Sequence, residues 1–188
     1  MRFRMILLVM LSALASGCAT TLAPHQPSVN TVTMLRSSGI QKLAVGDFKL
    51  APGAKADIDK SVSARATSAS PAEGTFSAYL KAALVSDLKA SGLYDAGAAL
   101  AIQGQLVDAQ LDTGMSTGRA IIAAHFQVTR SGQTAFDKTL KDEHTWDSSF
   151  VGAIAIPRAI NEYQAGYANL LGQLYKDPDF LRACRAPQ

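Results

Sequence analysis

Gly114-Met-Ser-Thr-Gly118 is a literal G-x-S-x-G, and Asp142 and His144 follow it in the chain order of a serine nucleophile with its acid and base. That chemistry needs the serine on a strained turn between a strand and a helix, where the hydroxyl stands clear of the sheet. The residues that follow, RAIIAAHFQV, alternate like a strand instead and run on to another hairpin. Gly114 and Gly118 therefore read as flexible residues of a strand connection. Asp142-Glu143-His144 holds acid, base and ligand types, but successive strand residues face opposite ways, so Glu143 points away from the other two. The triplet reads as a solvated strand face, and His25 and His125 have no ligand spacing to complete a metal site. Asp57-Ile-Asp59 is a thin signal for a hard cation. Asp108 and Asp112 share one alternating phase and could pair as carboxylates, although a polar strand face explains them equally well. There is neither a G-x-x-x-x-G-K loop nor a C-x-x-C pair. No catalytic residue, metal ligand or cofactor is assigned, and the expectation is a protein that is not an enzyme.

The elements that would position these residues are legible from periodicity. Ile40, Leu43, Val45 and Phe48 predict a first strand. Residues 51–74 carry almost no large apolar side chain and read as a long loop, mobile in isolation. Phe76, Tyr79, Leu80, Ala83, Leu84 and Leu88 recur at helical spacing, with Thr75 to cap the start and Gly92 to close the end. Leu100, Ile102, Gly104 and Leu106 then alternate, after which Val107, Ala109 and Leu111 continue in the opposite phase, as a bulge would make them. Ala120, Ile122, Ala124, Phe126 and Val128 predict a third strand. Ser131-Gly132 is a compact hairpin turn into a polar fourth strand with Phe136, Leu140 and Trp146 in one phase, whose charges suit an edge or an exposed face. Pro157 suits the first turn of a second helix bearing Ile160, Tyr163, Tyr167, Leu170, Leu171 and Leu174. A helix between the first two strands makes them a parallel pair, and the later strands form an antiparallel meander. The predicted fold is α/β: a two-layer sandwich with a mixed four-stranded sheet (strand-helix-strand-strand-strand-helix) and both helices on one face.

The chain opens with Arg2 and Arg4, an apolar run from Met5 to Leu14, and the small residues Ala15, Ser16 and Gly17. That is the order of a secretory signal peptide, and the run is about half what a membrane-spanning helix needs. Ala15-Ser16-Gly17-Cys18 resembles the bacterial lipobox. The resemblance implies that residues 1–17 are removed and that Cys18 is acylated, palmitate being among the chains that hold the membrane. Several chains at about 0.8 kcal/mol per buried methylene make a stable anchor. Ala19 after the cysteine, in place of Asp, implies the outer membrane of a Gram-negative cell, with the protein facing the periplasm. Residues 18–38, with Pro24 and Pro27, then read as the acylated start of a flexible tether, and 39–188 as a single domain. Two of the basic residues behind the formal net charge of +3 belong to the signal, and no basic stripe is left to suggest nucleic acid. Cys184 is a lone thiol, expected to pack near the carboxyl end.

The helix phrase LVSDLKASGLYD followed by the strand AIQGQLVDA gives the pattern L-x-x-D-L-x-x-x-G-L-Y and then I-x-G-x-L. Over about residues 40–182 the chain resembles small Gram-negative outer-membrane lipoproteins. These include uncharacterised ones related in architecture to the LPS-assembly lipoprotein, and the auxiliary lipoproteins of envelope ABC transporters. With the anchor and the lack of a convergent polar site, the leading expectation is a non-enzymatic lipoprotein. It would bind an envelope protein or lipid and assist outer-membrane transport, assembly or integrity. Two alternatives stand beside it: a periplasmic serine hydrolase using Ser116, Asp142 and His144, and a glycan- or lipopolysaccharide-binding module, which would need Trp146, Tyr163 and Tyr167 exposed.

Overall fold

The alternating segments become strands, and the computed structural model, which describes residues 19–186, places them in two sheets. In chain order the elements are β1 (Ala19–Leu22), α1 (Val29–Ser37), β2 (Leu43–Leu50), a 3-10 turn (Ala56–Asp59), β3 (Val62–Ala64), β4 (Thr67–Pro71) and α2 (Phe76–Ser91). β5 (Leu100–Asp112), β6 (Thr117–Arg130), β7 (Gln133–Asp147), α3 (Gly152–Lys176) and α4 (Pro178–Cys184) follow. The larger sheet has the order β2-β5-β6-β7, with β2 parallel to β5 and the other pairs antiparallel. α2 packs on β2 and β5, and α3 on β6 and β7. Leu100, Ile102, Leu106, Ile122, Ala124, Phe126 and Val128 are buried beneath them. This is the predicted two-layer sandwich.

Local chemistry explains the joints. Leu106 lies opposite Ala124 and Asp108 opposite Ala123, so Val107 is the extra residue of a bulge that turns Ala109 and Leu111 back toward the helices. A second irregularity, between Val45 and Phe48, lays the Phe48 ring over Gly104, where any side chain would overlap it. The glycine of I-x-G-x-L is therefore a packing space. The Thr75 hydroxyl accepts the Ala78 N–H at 3.1 Å, and Gly92 closes α2 with a φ of +77°. Ser131 and Gly132, at φ +49° and +81°, make the tight turn between β6 and β7. Between the two helices Phe76, Tyr79, Tyr163 and Tyr167 form one aromatic cluster. Its ring centroids are 5.2–5.9 Å apart, and the Tyr163 and Tyr167 hydroxyls lie 3.2 Å from each other.

Three segments differ from the sequence expectation. Residues 19–38 are not a free tether. β1 adds to β4 in parallel, forming a three-stranded sheet of order β1-β4-β3, and Leu22 and Leu35 are buried. Gln164 Nε2 donates to the Ala23 carbonyl at 2.7 Å, Ser28 caps α1, and Arg36 donates to the Ala90 carbonyl at 2.9 Å. The segment has few apolar residues, which is why it reads as a linker, yet those few enter the core and its backbone finds partners. Residues 51–74 are likewise ordered by small groups: Ala64 and Ala69 are fully buried. The buried Asp59 carboxylate accepts both the Ser77 N–H (2.7 Å) and its hydroxyl (3.0 Å), tying this stretch to the first turn of α2. Finally, α3 begins at Gly152, so Pro157 stands inside it and not in its first turn. Both Pro157 and Ala153, whose carbonyl loses its helical partner there, face solvent, which lets water substitute for the missing bond.

Asp177 joins α3 to α4. Its Oδ1 accepts the N–H groups of Asp179 (2.9 Å) and Phe180 (3.2 Å), and Oδ2 accepts from Lys138 Nζ at 2.7 Å. Burial works against the charged carboxylate, but the Lys138 ammonium and the two N–H groups outweigh it and hold its pKa below the ordinary 3.8. A depressed carboxylate stabilises the fold above the unfolded value and ceases to do so as pH falls through the folded one. Asp177→Ala is expected to cost about 1–2 kcal/mol at neutral pH. In urea melts across pH, the gap from the unmodified protein should be complete above pH 3.8 and close below it; a gap independent of pH would refute this account of the cap.

Candidate functional site

The hairpin joining β5 to β6 carries Ser116, with its side chain exposed and its carbonyl accepting the Ser148 N–H at 2.8 Å. Gly118 lies opposite Trp146 in β7, and the indole covers the space where a side chain would stand. A strand follows the motif, so its glycines serve hairpin geometry. His144 pairs with Ala120 in register, four residues along the strand from Ser116, which is about 13 Å. The structure does not bring Ser116 together with Asp142 and His144.

Asp142 and His144 do come together, and not on a solvated face. They share the phase of Leu140 and Trp146, and that phase faces α3. Asp142 is buried, its Oδ2 2.7 Å from His144 Nδ1, and it accepts from Gln173 Nε2 at 3.2 Å and Asn169 Nδ2 at 3.5 Å. His144 Nε2 is buried without a hydrogen-bond partner, 3.6 Å from Glu162 Oε2. Gly166 lets α3 approach, since a β-carbon there would stand 2.9 Å from Ile122 and 3.5 Å from the His144 ring. Glu143 points outward as alternation requires, bridging Arg119 and Lys141; those two cations hold its carboxyl below the ordinary value. Two carboxylates thus flank the imidazole, Asp142 hydrogen-bonded to it and Glu162 just beyond hydrogen-bond reach. With the free imidazole nitrogen covered, the arrangement chiefly fastens β7 to α3. The sequence signal was present: Asp142 and His144 fall in the same period-two register as the apolar residues of their strand.

A second polar cluster lies where the amino-terminal segment crosses the helices. Asp87, fully buried in α2, accepts from His25 Nε2 at 2.9 Å and from the Tyr175 hydroxyl at 2.9 Å. Burial first, then the neighbouring Asp87 charge, holds the Tyr175 phenol well above its ordinary pKa, so it remains a donor. Asp87 is the aspartate of L-x-x-D-L. Its place in that pattern is to receive the segment that follows β1.

The remaining candidates separate. Asp59 is the buried partner of Ser77, and Asp57 accepts the Ile58 N–H. Asp108 accepts from Gln110 and Asp112 from the Gly114 N–H, so the two carboxylates are held apart on their own partners. Tyr163, Tyr167 and Trp146 are buried, which withdraws the exposed aromatic platform that the glycan-binding alternative required. Cys184 is a free, buried thiol, and burial pushes its pKa up to about 12. Among the described residues there is no group of three His, Cys, Asp or Glu side chains able to hold a metal ion, and no helix long and apolar enough to cross a membrane. Cys18 lies outside the described residues.

No protein-family model matches the chain, and no curated protein matches it. Two solved structures are similar to it in shape. A Xanthomonas campestris protein of the family DUF330 is 17% identical at a TM-score of 0.50, over 85% of this chain and 92% of that one. A candidate lipoprotein of Caulobacter crescentus CB15 is 14% identical at a TM-score of 0.45, over 85% of this chain and 100% of that one. At this identity the first likeness is one of fold.

Proposed function

We propose that the chain is a lipid-anchored protein of the outer membrane, acylated at Cys18 and facing the periplasm. In this role it is not an enzyme. It binds an envelope protein or lipid in support of transport, assembly or integrity, as the lipoproteins around the LPS-assembly and ABC-transport systems do. The observation that carries the reading is the lipobox-like Ala15-Ser16-Gly17-Cys18 standing directly before the first residue of β1. Supporting it, the two polar clusters of the interior are spent on fastening elements together, and Ser116 lies on an exposed hairpin away from His144.

The partner surface belongs to the pole away from the anchor. β6 runs about 43 Å from Thr117 to Arg130, and Arg130, Arg182 and Arg185 line an open groove of about 560 Å³ at its far end. Cys18→Ala is expected to abolish incorporation of labelled palmitate and to move the protein from the membrane to the soluble fraction. It is also expected to fail to restore the permeability barrier of a deletion strain that the unmodified gene restores. Palmitate labelling that persists in the Cys18→Ala chain would contradict the anchor, and an intact barrier in the deletion strain would contradict the envelope role.

A further inference from the structure

Large apolar side chains exposed in isolation are ordinary, but several on neighbouring loops at one end of a molecule are not. Here Met115 is 61% exposed, Phe150 75%, Val151 51% and Ile154 60%. Met115 is on the β5–β6 hairpin; the other three lie on the connection from β7 and the first turn of α3. One residue binds these loops together. The Arg65 guanidinium donates to the carbonyls of Gly114 (3.1 Å), Ser149 (2.6 Å) and Phe150 (3.0 Å). Arg65 does so from the left-handed region, at φ +55°, a backbone conformation unfavourable to a non-glycine residue. Val151 is the residue capping α3 and supplies no side-chain hydrogen bond to it, although a polar residue there would stabilise the helix in water.

The same end of the molecule is where the chain enters the fold. Arg65 is at the turn between β3 and β4, Ala64 faces Thr67 across that turn, and Ala19 pairs with Ser68, the next residue of β4. Ala19 therefore stands about 10 Å along the hairpin from the residue that gathers the apolar loops. From Ala19 the segment does not stand off: β1 pairs with β4, the Ala23 carbonyl is held by Gln164, and His25 is held by Asp87. A lipid anchor on the residue preceding Ala19 has no slack chain after it.

We infer that Met115, Phe150, Val151 and Ile154 form a collar that enters the lipid surface beside the anchor, docking the domain on the membrane in a fixed orientation with the Arg130–Arg185 groove turned outward. This rests on the anchor being at Cys18. The occupant is lipid because the chain end that would carry the acyl groups emerges beside the patch. Apolar side chains on loop tips at a tethered end gain by leaving water for the acyl boundary.

The test replaces the acyl anchor, so that it does not depend on acylation. A chain beginning at Ala19 and preceded by a hexahistidine tag is held on phosphatidylethanolamine–phosphatidylglycerol vesicles containing nickel-chelating lipid. An environment-sensitive fluorophore is attached at Phe150→Cys, or at Gln133→Cys on the opposite hairpin; Cys184 is buried and stays unlabelled. The probe at 150 should shift to the blue on the vesicles and be quenched by lipids brominated in their acyl chains, while the probe at 133 stays water-like. Phe150→Asp with Ile154→Asp, both exposed positions, should lower vesicle retention at low nickel-lipid density by about tenfold or more. Water-like emission from position 150 on bound protein would overturn the collar. So would a probe at 150 that is already buried before vesicles are added, in a chain that sediments as a dimer, since a second copy would then cover the patch. The anchor itself fails separately, through absence of palmitate on Cys18.

Discussion

Tyr167→Ala is expected to lower the free energy of unfolding by about 3–5 kcal/mol, the cost of deleting a fully buried aromatic ring. Tyr167 stands where α2 and α3 meet over the sheet. It stacks on Phe76 at 5.9 Å and meets Tyr79 and Tyr163 edge-on at 5.2 and 5.5 Å. Truncation would leave a void lined by three rings that belong to two different helices, so neither helix can close it alone. Burial holds the phenol of Tyr167 well above its ordinary pKa, and its one hydrogen bond is to Tyr163. Tyr167→Phe, which keeps the ring and loses that bond, should cost only about 1 kcal/mol. Urea titration of the two variants measures both. A loss below about 1 kcal/mol for the alanine variant would mean that the helix layer is not held by this cluster. Domains of this size have about 5–15 kcal/mol in total, so the alanine variant should melt about 6–20 °C lower or accumulate poorly.

Asp87→Ala should cost about 3 kcal/mol, because one buried carboxylate serves two donors and bonds to a charged group contribute about 1.5–3 kcal/mol each without adding fully. Its distinctive consequence is local. His25 loses its partner on α2, and the Tyr175 hydroxyl is left buried without an acceptor. The crossing segment should then loosen before the rest of the fold. Amide hydrogen exchange in α1, which follows His25 and whose N–H groups from Val32 onward are bonded to backbone carbonyls, is expected to rise by at least tenfold, while that of β6 changes only in proportion to global stability. Uniform acceleration of all residues would show that His25–Asp87 does not dock the segment. The loosened variant also gives the anchor slack, so it should weaken the insertion of position 150 on vesicles as well.

How far the sequence carried these conclusions depended on the size of the side chains involved. The main sheet, both covering helices, the Thr75 and Gly92 caps and the bulge at Val107 were all legible, because each is written in the period of large apolar residues or in a residue type with one geometric use. The amino-terminal segment was not. Leu22 and Leu35 are too widely spaced to show a period, and β1 exists only because β4 offers it an edge. The 51–74 stretch failed for a related reason: Ala64 and Ala69 fill small spaces, so its burial leaves no hydrophobic signal. The site residues divided in the same way. Alternation correctly sent Glu143 outward, but the charges of β7 suggested a wholly solvated strand, whereas Asp142 and His144 turn inward because α3 meets them with Asn169 and Gln173. That polar match across two elements has no expression in either element alone. Ser116 shows the converse, a short motif that matches in letters while its surrounding strands deny it the turn it needs.

In the proposed role the chain is anchored through Cys18, immediately ahead of an ordered fold. The most direct measurement is the intact mass and amino-terminal peptide of the protein extracted from its own membranes. The expected result is a mature chain that begins at Cys18 and carries the mass of its acyl chains on that residue. A soluble chain whose amino terminus is an unmodified Cys18, or any residue beyond it, would contradict it.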